Sequence, residues 1–174
     1  PLITASIMSK KLAEGLDRLI LDVKFGSGAF MKTREQADLL AKSMVSVGKV
    51  LGVRASVRLS EMNQPTGESA GNALEVGECV RCLQGQGPAD LEEIVLDLAV
   101  AVSVSSREQL RRWIRDGSAW EKFQKMVSLQ GGDVSALERL TEIHRAPCIG
   151  ELKATTSGRL EKMDAGTLGQ VVLE

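Results

Sequence analysis

The chain has 174 residues, enough for one domain with a substantial core, and its 22 Lys and Arg nearly balance its 23 Asp and Glu. That balance gives no general electrostatic reason to expect nucleic acid or an anionic membrane as a partner. No apolar run reaches the roughly 18 residues that a transmembrane helix needs. Three scattered cysteines suit a reducing compartment better than a disulfide scaffold. We therefore expect a cytoplasmic protein that binds neither nucleic acid nor membrane.

The first segment predicts a helix that ends at Gly15. Thr4 or Ser6 can cap its start, and Gly15 can end it in the left-handed conformation. Ser6 and Lys10 are four residues apart, so a hydroxyl and an ammonium share one helix face. Such a pair could hydrogen-bond a flat polar molecule. Ser/Lys pairs on solvated helix faces are common, however, and the spacing alone favours an ordinary surface.

The next segments predict a strand, a helix and a second strand. Residues 18–24 form a short apolar run that ends near glycine, which is typical of a buried strand. Thr33 and Gln36 make a capping box for a helix over about 34–51, and residues 55–59 form the second strand. A strand–helix–strand unit of this kind predicts a parallel pair with a right-handed crossover.

Residues 26–30, here called the glycine loop, connect the first strand to the helix. Loops at the carboxyl ends of strands are where α/β sheets place ligands, and a second polar loop over 60–67 follows the second strand. The glycine loop lacks the third glycine of a dinucleotide fingerprint and the Gly-Lys-Ser/Thr ending of a phosphate loop. A tight strand-to-helix turn explains it equally well.

Helical patterns follow over most of the remaining chain. They are predicted at residues 69–83, 91–104 (capped by Asp90), 107–115 (started by Ser106) and 119–129, with a short helix ending near 145. Residues 149–154 and 158–163 then alternate apolar and polar side chains, which predicts strands, and the last apolar run, 171–174, predicts another. The fold class is therefore α/β, a mixed or mostly parallel sheet flanked by helices, with a boundary near residue 146.

The third predicted helix carries two carboxylates and two thiols. Glu75 and Glu78 could act as acid and base or as cation ligands, but exposed helical carboxylates are far commoner. Cys79 and Cys82 have the CxxC spacing, yet a zinc site needs two further ligands nearby. Buried helical thiols explain the pair better. His144 has no partner at a telling spacing, so it receives no role.

Four stretches together resemble the pyrimidine nucleoside phosphorylases, a family that includes thymidine phosphorylase. They are LITASIMSKKLAEG at 2–15, DVKFGSGAFM at 22–31, MNQP at 62–65 and GNALEV at 71–76. The resemblance runs through the chain in order, and the first stretch carries the family's signature.

The resemblance implies reversible phosphorolysis of a pyrimidine nucleoside to the free base and a pentose 1-phosphate. Thymidine is the first candidate substrate, with uridine and deoxyuridine as further ones, and inorganic phosphate is the co-substrate without any organic cofactor. The resemblance also assigns roles to single residues. Ser6 and Lys10 would hydrogen-bond the pyrimidine, Ile3 and Phe30 would wall the base pocket, and Glu75 would lie near a monovalent cation such as potassium.

The resemblance further implies a domain arrangement. Residues 1–13 would be the last helix of a small α domain, 14–16 a hinge, 17–146 part of a large α/β domain, and 147–174 the start of a β-rich C-terminal subdomain. The family's members pair through the helical domain, so a homodimer is expected.

The family's phosphate-binding loop, pocket histidine and upstream arginine match nothing in this chain. We therefore expect a fragment that contributes half a site, is inactive alone, and needs the N-terminal remainder of the protein as its partner. Two alternatives stay open. One is a related enzyme of the same fold, such as AMP phosphorylase or anthranilate phosphoribosyltransferase, and the other is a non-catalytic fragment that binds base or supports dimerisation.

Overall fold

A computed structural model describes residues 2–173 of the chain, apart from the side chain of Thr141. The first helix, α1 (Leu2–Ala13), starts earlier than the capping pattern predicts. The prediction that Thr4 or Ser6 caps it is wrong, because both lie inside the helix. Thr4 is buried there, with its hydroxyl oxygen 3.1 Å from that of Ser43. The left-handed Gly15 is confirmed, with φ at +69°.

The predicted parallel strand–helix–strand unit is confirmed. β1 (Arg18–Phe25) and β2 (Arg54–Glu61) pair in parallel, with Arg18 opposite Arg54 and Phe25 opposite Glu61. Between them runs α2 (Arg34–Val50). The chain is thus an α/β protein, in which helices flank a parallel sheet of two strands within the described residues.

The capping box at the start of α2 is also confirmed. The hydroxyl of Thr33 accepts a hydrogen bond from Gln36 N–H, while the Gln36 side chain accepts bonds from the N–H groups of Lys32 and Thr33. These bonds satisfy N–H groups that have no partner inside the helix. They determine where the glycine loop ends and α2 begins.

The core joins α1 to the sheet and to α2. Its buried residues are Met8, Leu19, Val23, Ala37 and Met44. Met8 and Met44 each leave only 1% of their surface exposed. Because one side of α1 is packed into this core, the opposite side faces solvent.

Six helices lie between β2 and residue 146, and none of the helices in residues 2–173 is both long enough and apolar enough to cross a bilayer. They are α3 (Asn72–Leu83), α4 (Ala89–Val102), α5 (Arg107–Arg115), α6 (Ser118–Leu129), α7 (Val134–Glu138) and α8 (Leu140–Ile143). The prediction that Asp90 caps α4 is wrong, since the helix begins at Ala89 with Pro88 in the capping position. Ser106 does cap α5, accepting a bond from Gln109 N–H.

The strand predictions after residue 146 are wrong. Residues 149–163 are exposed and irregular and form no strand, and Ala165–Leu173 is a helix, α9. An alternating pattern stabilises a strand only when another strand supplies hydrogen bonds, and these residues have no such neighbour among those described. α9 has a local cause, because the Asp164 carboxylate accepts a bond from Thr167 N–H at 2.7 Å. Glu174 lies outside the described residues, and the predicted domain boundaries stay predictions.

Candidate functional site

A cavity of about 520 Å³ lies between α1, β1, the glycine loop and α2. Its walls are mainly apolar and include Ile7 from α1 and Met44 from α2, with Met62 from the loop after β2. Mostly apolar walls with a few polar groups are typical of small-molecule sites, and about 300–1,000 Å³ is their usual size. The residues of β1 that line it, 21–24, lie in the carboxyl-terminal half of that strand, the end at which α/β folds commonly bind ligands.

Two of the predicted site residues line this cavity from different elements. Ile3 is half-buried on α1, and Phe30 stands on the glycine loop with 80% of its surface exposed. The two residues are far apart in sequence, and the fold brings them to one cavity. Their role in binding a base stays a prediction, because geometry alone does not identify the occupant.

The other two predicted residues, Ser6 and Lys10, lie on the exposed side of α1 and do not line the cavity. Helical spacing nevertheless relates them to the cavity wall. Ile3, Ser6, Ile7 and Lys10 occupy helix positions i, i+3, i+4 and i+7, so they form a single stripe along α1. The two isoleucines of that stripe face the cavity, and the polar pair continues it toward solvent.

A polar cluster that the sequence did not reveal forms one wall of the cavity. The ammonium of Lys24 donates to the Asp22 carboxylate at 2.8 Å and to the Ser60 hydroxyl at 3.0 Å. Ser60 in turn donates to the other oxygen of Asp22 at 2.5 Å. Asp22 and Lys24 are the charged residues among those that line this cavity. The sequence pattern of this strand predicts a buried apolar segment. The only signal of a polar cluster was the two-residue spacing of Asp22 and Lys24, which places both on the same face of the strand.

This cluster continues into a chain of ion pairs on α4 and α5. Arg58 lies 4.0 Å from Asp22 and 3.1 Å from Asp97, and Asp97 also pairs with Arg107 at 2.5 Å. The hydrogen bond from Arg107 is the largest cause that lowers the pKa of Asp97. One terminal nitrogen of Arg58 is buried without a hydrogen-bond partner among the described residues. The ion pairs therefore tie the sheet to the helices that follow it.

A second cavity, of about 430 Å³, shares Asp22 and Lys24 with the first and is also lined by Glu75 and Glu78. Glu75 is exposed, and its carboxylate accepts a bond from Gly71 N–H at the start of α3. Glu78 is 3% exposed and accepts a bond from Glu68 N–H at 2.8 Å. No three His, Cys, Asp or Glu side chains in the described part of the chain lie together as metal ligands. That Glu75 lies near a monovalent cation stays a prediction, and no chemical step is assigned to a cation.

The two thiols of the CxxC pair differ in their surroundings. Cys82 is buried, and that burial is the main reason its pKa is raised. Cys79, three residues earlier on α3, is exposed. The interpretation of both as buried thiols is therefore right for Cys82 and wrong for Cys79. A raised pKa makes the buried thiol a poor nucleophile.

The part of the chain that forms the first cavity matches a known protein family. The family described as "Glycosyl transferase family, a/b domain" matches residues 1–119, which include α1, the parallel sheet and the glycine loop. The chain belongs to this family. The match covers every residue that lines the first cavity.

Curated relatives share the resemblance that the sequence motifs indicated. The chain is 43% identical over 178 residues to a pyrimidine-nucleoside phosphorylase of Staphylococcus haemolyticus, and 42% identical to one of Staphylococcus aureus strain USA300. Each alignment takes in 97% of this chain and 41% of the relative. The predicted resemblance to this family is confirmed, and the chain spans about two fifths of the length of the relatives it matches.

Proposed function

We propose that this chain supplies the base-binding half of an enzyme that cleaves pyrimidine nucleosides with phosphate. The observation that carries the proposal is the cavity whose wall combines Ile3 and Phe30, in a chain that is 43% identical to a protein named pyrimidine-nucleoside phosphorylase. Thymidine, uridine and deoxyuridine are the proposed substrates. A flat ring fits between two apolar walls, and its polar edge then needs hydrogen-bonding groups at the mouth of the cavity.

Ser6 and Lys10 provide those groups in the proposed mechanism. A pyrimidine carries two carbonyl oxygens around an N–H, so a hydroxyl and an ammonium spaced by one helical turn can each donate to its edge. When the bond between C1′ of the pentose and the ring nitrogen breaks, its electron pair stays on the base. Donors that already hold the carbonyl oxygens bind that developing charge more tightly than they bind the neutral ring.

Phosphate is the proposed nucleophile. One of its oxygens forms the new bond to C1′ as the bond to the base breaks, and the base takes up a proton that balances the one that hydrogen phosphate gives up. No side chain of this protein has to form a covalent intermediate in such a reaction. The residues of this chain bind and orient the base and exclude water from its apolar faces.

The phosphate-binding half is proposed to come from an N-terminal segment of the same protein. More than half of each relative's length has no counterpart in this chain, which is compatible with a site shared between two parts. The 174-residue chain alone is therefore proposed to be inactive, and the complete enzyme to be a homodimer. Glycosyl transfer by the complete protein would make it a pentosyltransferase.

A chimaera tests this proposal. The chain replaces the matching segment of the Staphylococcus haemolyticus enzyme. Phosphorolysis of thymidine and uridine is then measured as the release of the free base. The chimaera is expected to turn over while the chain alone does not. Lys10→Met in the chimaera is expected to reduce kcat/KM about 100-fold, the size of effect seen when one oxyanion donor is removed. Lys11→Met, at the next position, is the matched control and is expected to change it little.

Three outcomes would contradict the proposal. Turnover by the chain alone would remove the need for a second half. Cleavage of AMP in preference to the pyrimidine nucleosides would favour the related enzyme of the same fold. An inactive chimaera that folds and still binds uracil would favour the non-catalytic alternative.

A further inference from the structure

The position of Phe30 depends on the backbone that carries it. Its ring is 80% exposed, so packing around the side chain does little to hold it, whereas the neighbouring Ala29 is 8% exposed. If Phe30 forms a wall for a flat ring, the glycine loop must be held by other contacts. Lys32 supplies two of those contacts, since its ammonium donates to the main-chain oxygens of Ser27 and Ala29 at 3.0 and 2.9 Å, and the loop that follows β2 supplies others.

Asn63 makes most of the hydrogen bonds that join the loop after β2 to the glycine loop. Its side-chain oxygen accepts a hydrogen bond from Ser27 N–H at 2.9 Å, and its main-chain oxygen accepts one from the Ser27 hydroxyl at 3.3 Å. The neighbouring Met62 carbonyl accepts a bond from Gly28 N–H at 2.9 Å. Two consecutive N–H groups of the glycine loop are therefore bonded to residues 62–63.

The amide of Asn63 is itself held in one orientation. Its nitrogen donates to the Glu61 carboxylate, which leaves the oxygen directed at Ser27. The approach of the two loops is also close. Gly26 has φ at +120°, and a Cβ on it would lie 2.6 Å from the side-chain oxygen of Asn63. Only glycine permits both that backbone conformation and that distance.

Asn63 also connects the glycine loop to the C-terminal helix. Its main-chain oxygen accepts a bond from Ala165 N–H, the first residue of α9, at 3.1 Å. A Cβ on Gly28 would lie 2.7 Å from Cβ of Ala165, so α9 is seated directly on the loop. One residue thus joins three segments that are far apart in sequence and meet at the carboxyl end of the sheet.

We propose that Asn63 is a positioning residue for pyrimidine binding: its amide oxygen holds Ser27, and so holds the loop that places Phe30 against the base. This inference rests on the proposed function, because the base is the ligand whose affinity it affects. Asn63 does not line the cavity and acts only through the glycine loop. A hydrogen bond between two loops excludes alternative loop conformations, and a preformed site binds its ligand without the cost of ordering.

The first part of the test measures the contact itself in the 174-residue chain. Amide hydrogen exchange is followed by NMR in the unchanged protein and in Asn63→Leu, which removes the acceptor. Exchange at Ser27 is expected to become about tenfold faster, as when one hydrogen bond protecting an amide is lost, with Leu21 and Val23 of β1 unchanged. Gln64→Leu, an exposed neighbour, is the control and is expected to leave Ser27 unchanged.

A double variant tests whether the acceptor is what matters. Asn63→Asp with Glu61→Gln restores an oxygen facing Ser27 and avoids two adjacent carboxylates. Exchange at Ser27 is expected to return to within about threefold of the unchanged protein. Fast exchange in this variant, or slow exchange in Asn63→Leu, would overturn the proposal.

The second part measures uracil affinity in the same proteins by NMR titration, with the melting temperature as a check on folding. Asn63→Leu is expected to weaken uracil binding about tenfold while the protein stays folded at the temperature of the titration, and the double variant is expected to recover the affinity. Unchanged affinity despite faster Ser27 exchange would overturn the positioning role. If the unchanged protein binds no uracil, the proposed function fails and this role fails with it, while the exchange data still report the contact separately.

Discussion

The Lys24 ammonium lies 2.8 Å from the Asp22 carboxylate, in the wall between two cavities at the carboxyl end of the sheet. Both side chains are largely buried, with 29% and 16% of their surface exposed. Ser60, which faces Lys24 across the strand pair, completes the cluster by bonding to both. A partly buried ion pair of this kind is sensitive to the loss of either partner.

Lys24→Met is therefore expected to destabilise the protein. Asp22 would keep its bond from Ser60 but lose its nearest cation, and a hydrogen bond to a charged group contributes about 1.5–3 kcal/mol. Lys11→Met is the matched control, because Lys11 pairs with Glu14 at 3.2 Å and both are about half exposed. Such an exposed pair contributes at most about 1 kcal/mol. Urea unfolding of the two variants measures the difference, and equal losses would contradict a structural role for the cluster.

Gly26→Ala is expected to cost much more than Gly15→Ala, although both glycines have positive φ. Nothing lies within 4 Å of a Cβ placed on Gly15, so that variant carries only the strain of a left-handed alanine, about 1–2 kcal/mol. On Gly26 the Cβ would also meet Asn63, 2.6 Å from its side-chain oxygen and 3.0 Å from its main-chain nitrogen. Overpacking adds about 1–3 kcal/mol. Thermal or urea unfolding of both variants compares them, and similar losses would show that the two loops do not approach as closely as described.

Met44→Ala is expected to destabilise the fold by about 2–5 kcal/mol, the usual cost of removing a large side chain from a core. Met44 is 1% exposed and packs with Met8, so its loss would loosen α1 from α2. Met126→Ala on α6 is the control, since that side chain is 46% exposed and surface changes usually stay within about 0.5 kcal/mol. Unfolding in urea measures both. A small loss for Met44→Ala would indicate that α1 does not share the core.

Ser6→Ala and Lys10→Met are expected to leave stability within about 0.5 kcal/mol, because both side chains are exposed. Thr4→Ala offers a contrast on the same helix. Its hydroxyl is buried beside that of Ser43, so its removal is expected to cost about 1 kcal/mol. Thermal melts of the 174-residue chain distinguish these cases. A large loss in either exposed variant would mean that the pair has a structural role, and would weaken its assignment to substrate.

Asp164→Asn is expected to make stability less sensitive to acid. The hydrogen bond from Thr167 N–H is the largest cause that holds the pKa of Asp164 below its ordinary value. A lowered pKa in the folded state means that the unfolded state binds the proton more readily. The carboxylate therefore stabilises the fold above its ordinary pKa, near pH 4, and this contribution is lost as the pH falls through the folded value.

The measurement is the difference in urea midpoint between the unchanged protein and Asp164→Asn at pH 6, 4 and 2.5. Asparagine keeps an oxygen that can cap α9 but does not titrate. The difference is expected to be largest at pH 6 and to shrink toward pH 2.5. A difference that stays constant with pH would show that the charge of Asp164 does not contribute.

Local patterns predicted the helices and strands of the first third of the fold, although not the residue at which α1 begins. The capping box of Thr33 and Gln36 and the left-handed Gly15 depend on contacts within a few residues, so the sequence predicts them directly. Strand predictions past residue 146 failed because alternation describes a strand without supplying its neighbour. Asp164, three residues before Thr167, was a capping signal for α9 that could have been recognised.

The candidate site divides in the same way. The sequence by itself determined the family, through four stretches of local motif, and from the family came Ile3, Ser6, Lys10 and Phe30. Only the tertiary structure could place Asp22 and Lys24 beside Ser60, or Asn63 against Ser27, because each contact joins residues more than 30 positions apart. Periodicity reports how one segment is buried, whereas a hydrogen bond between segments depends on how the parallel strands align and where their loops end.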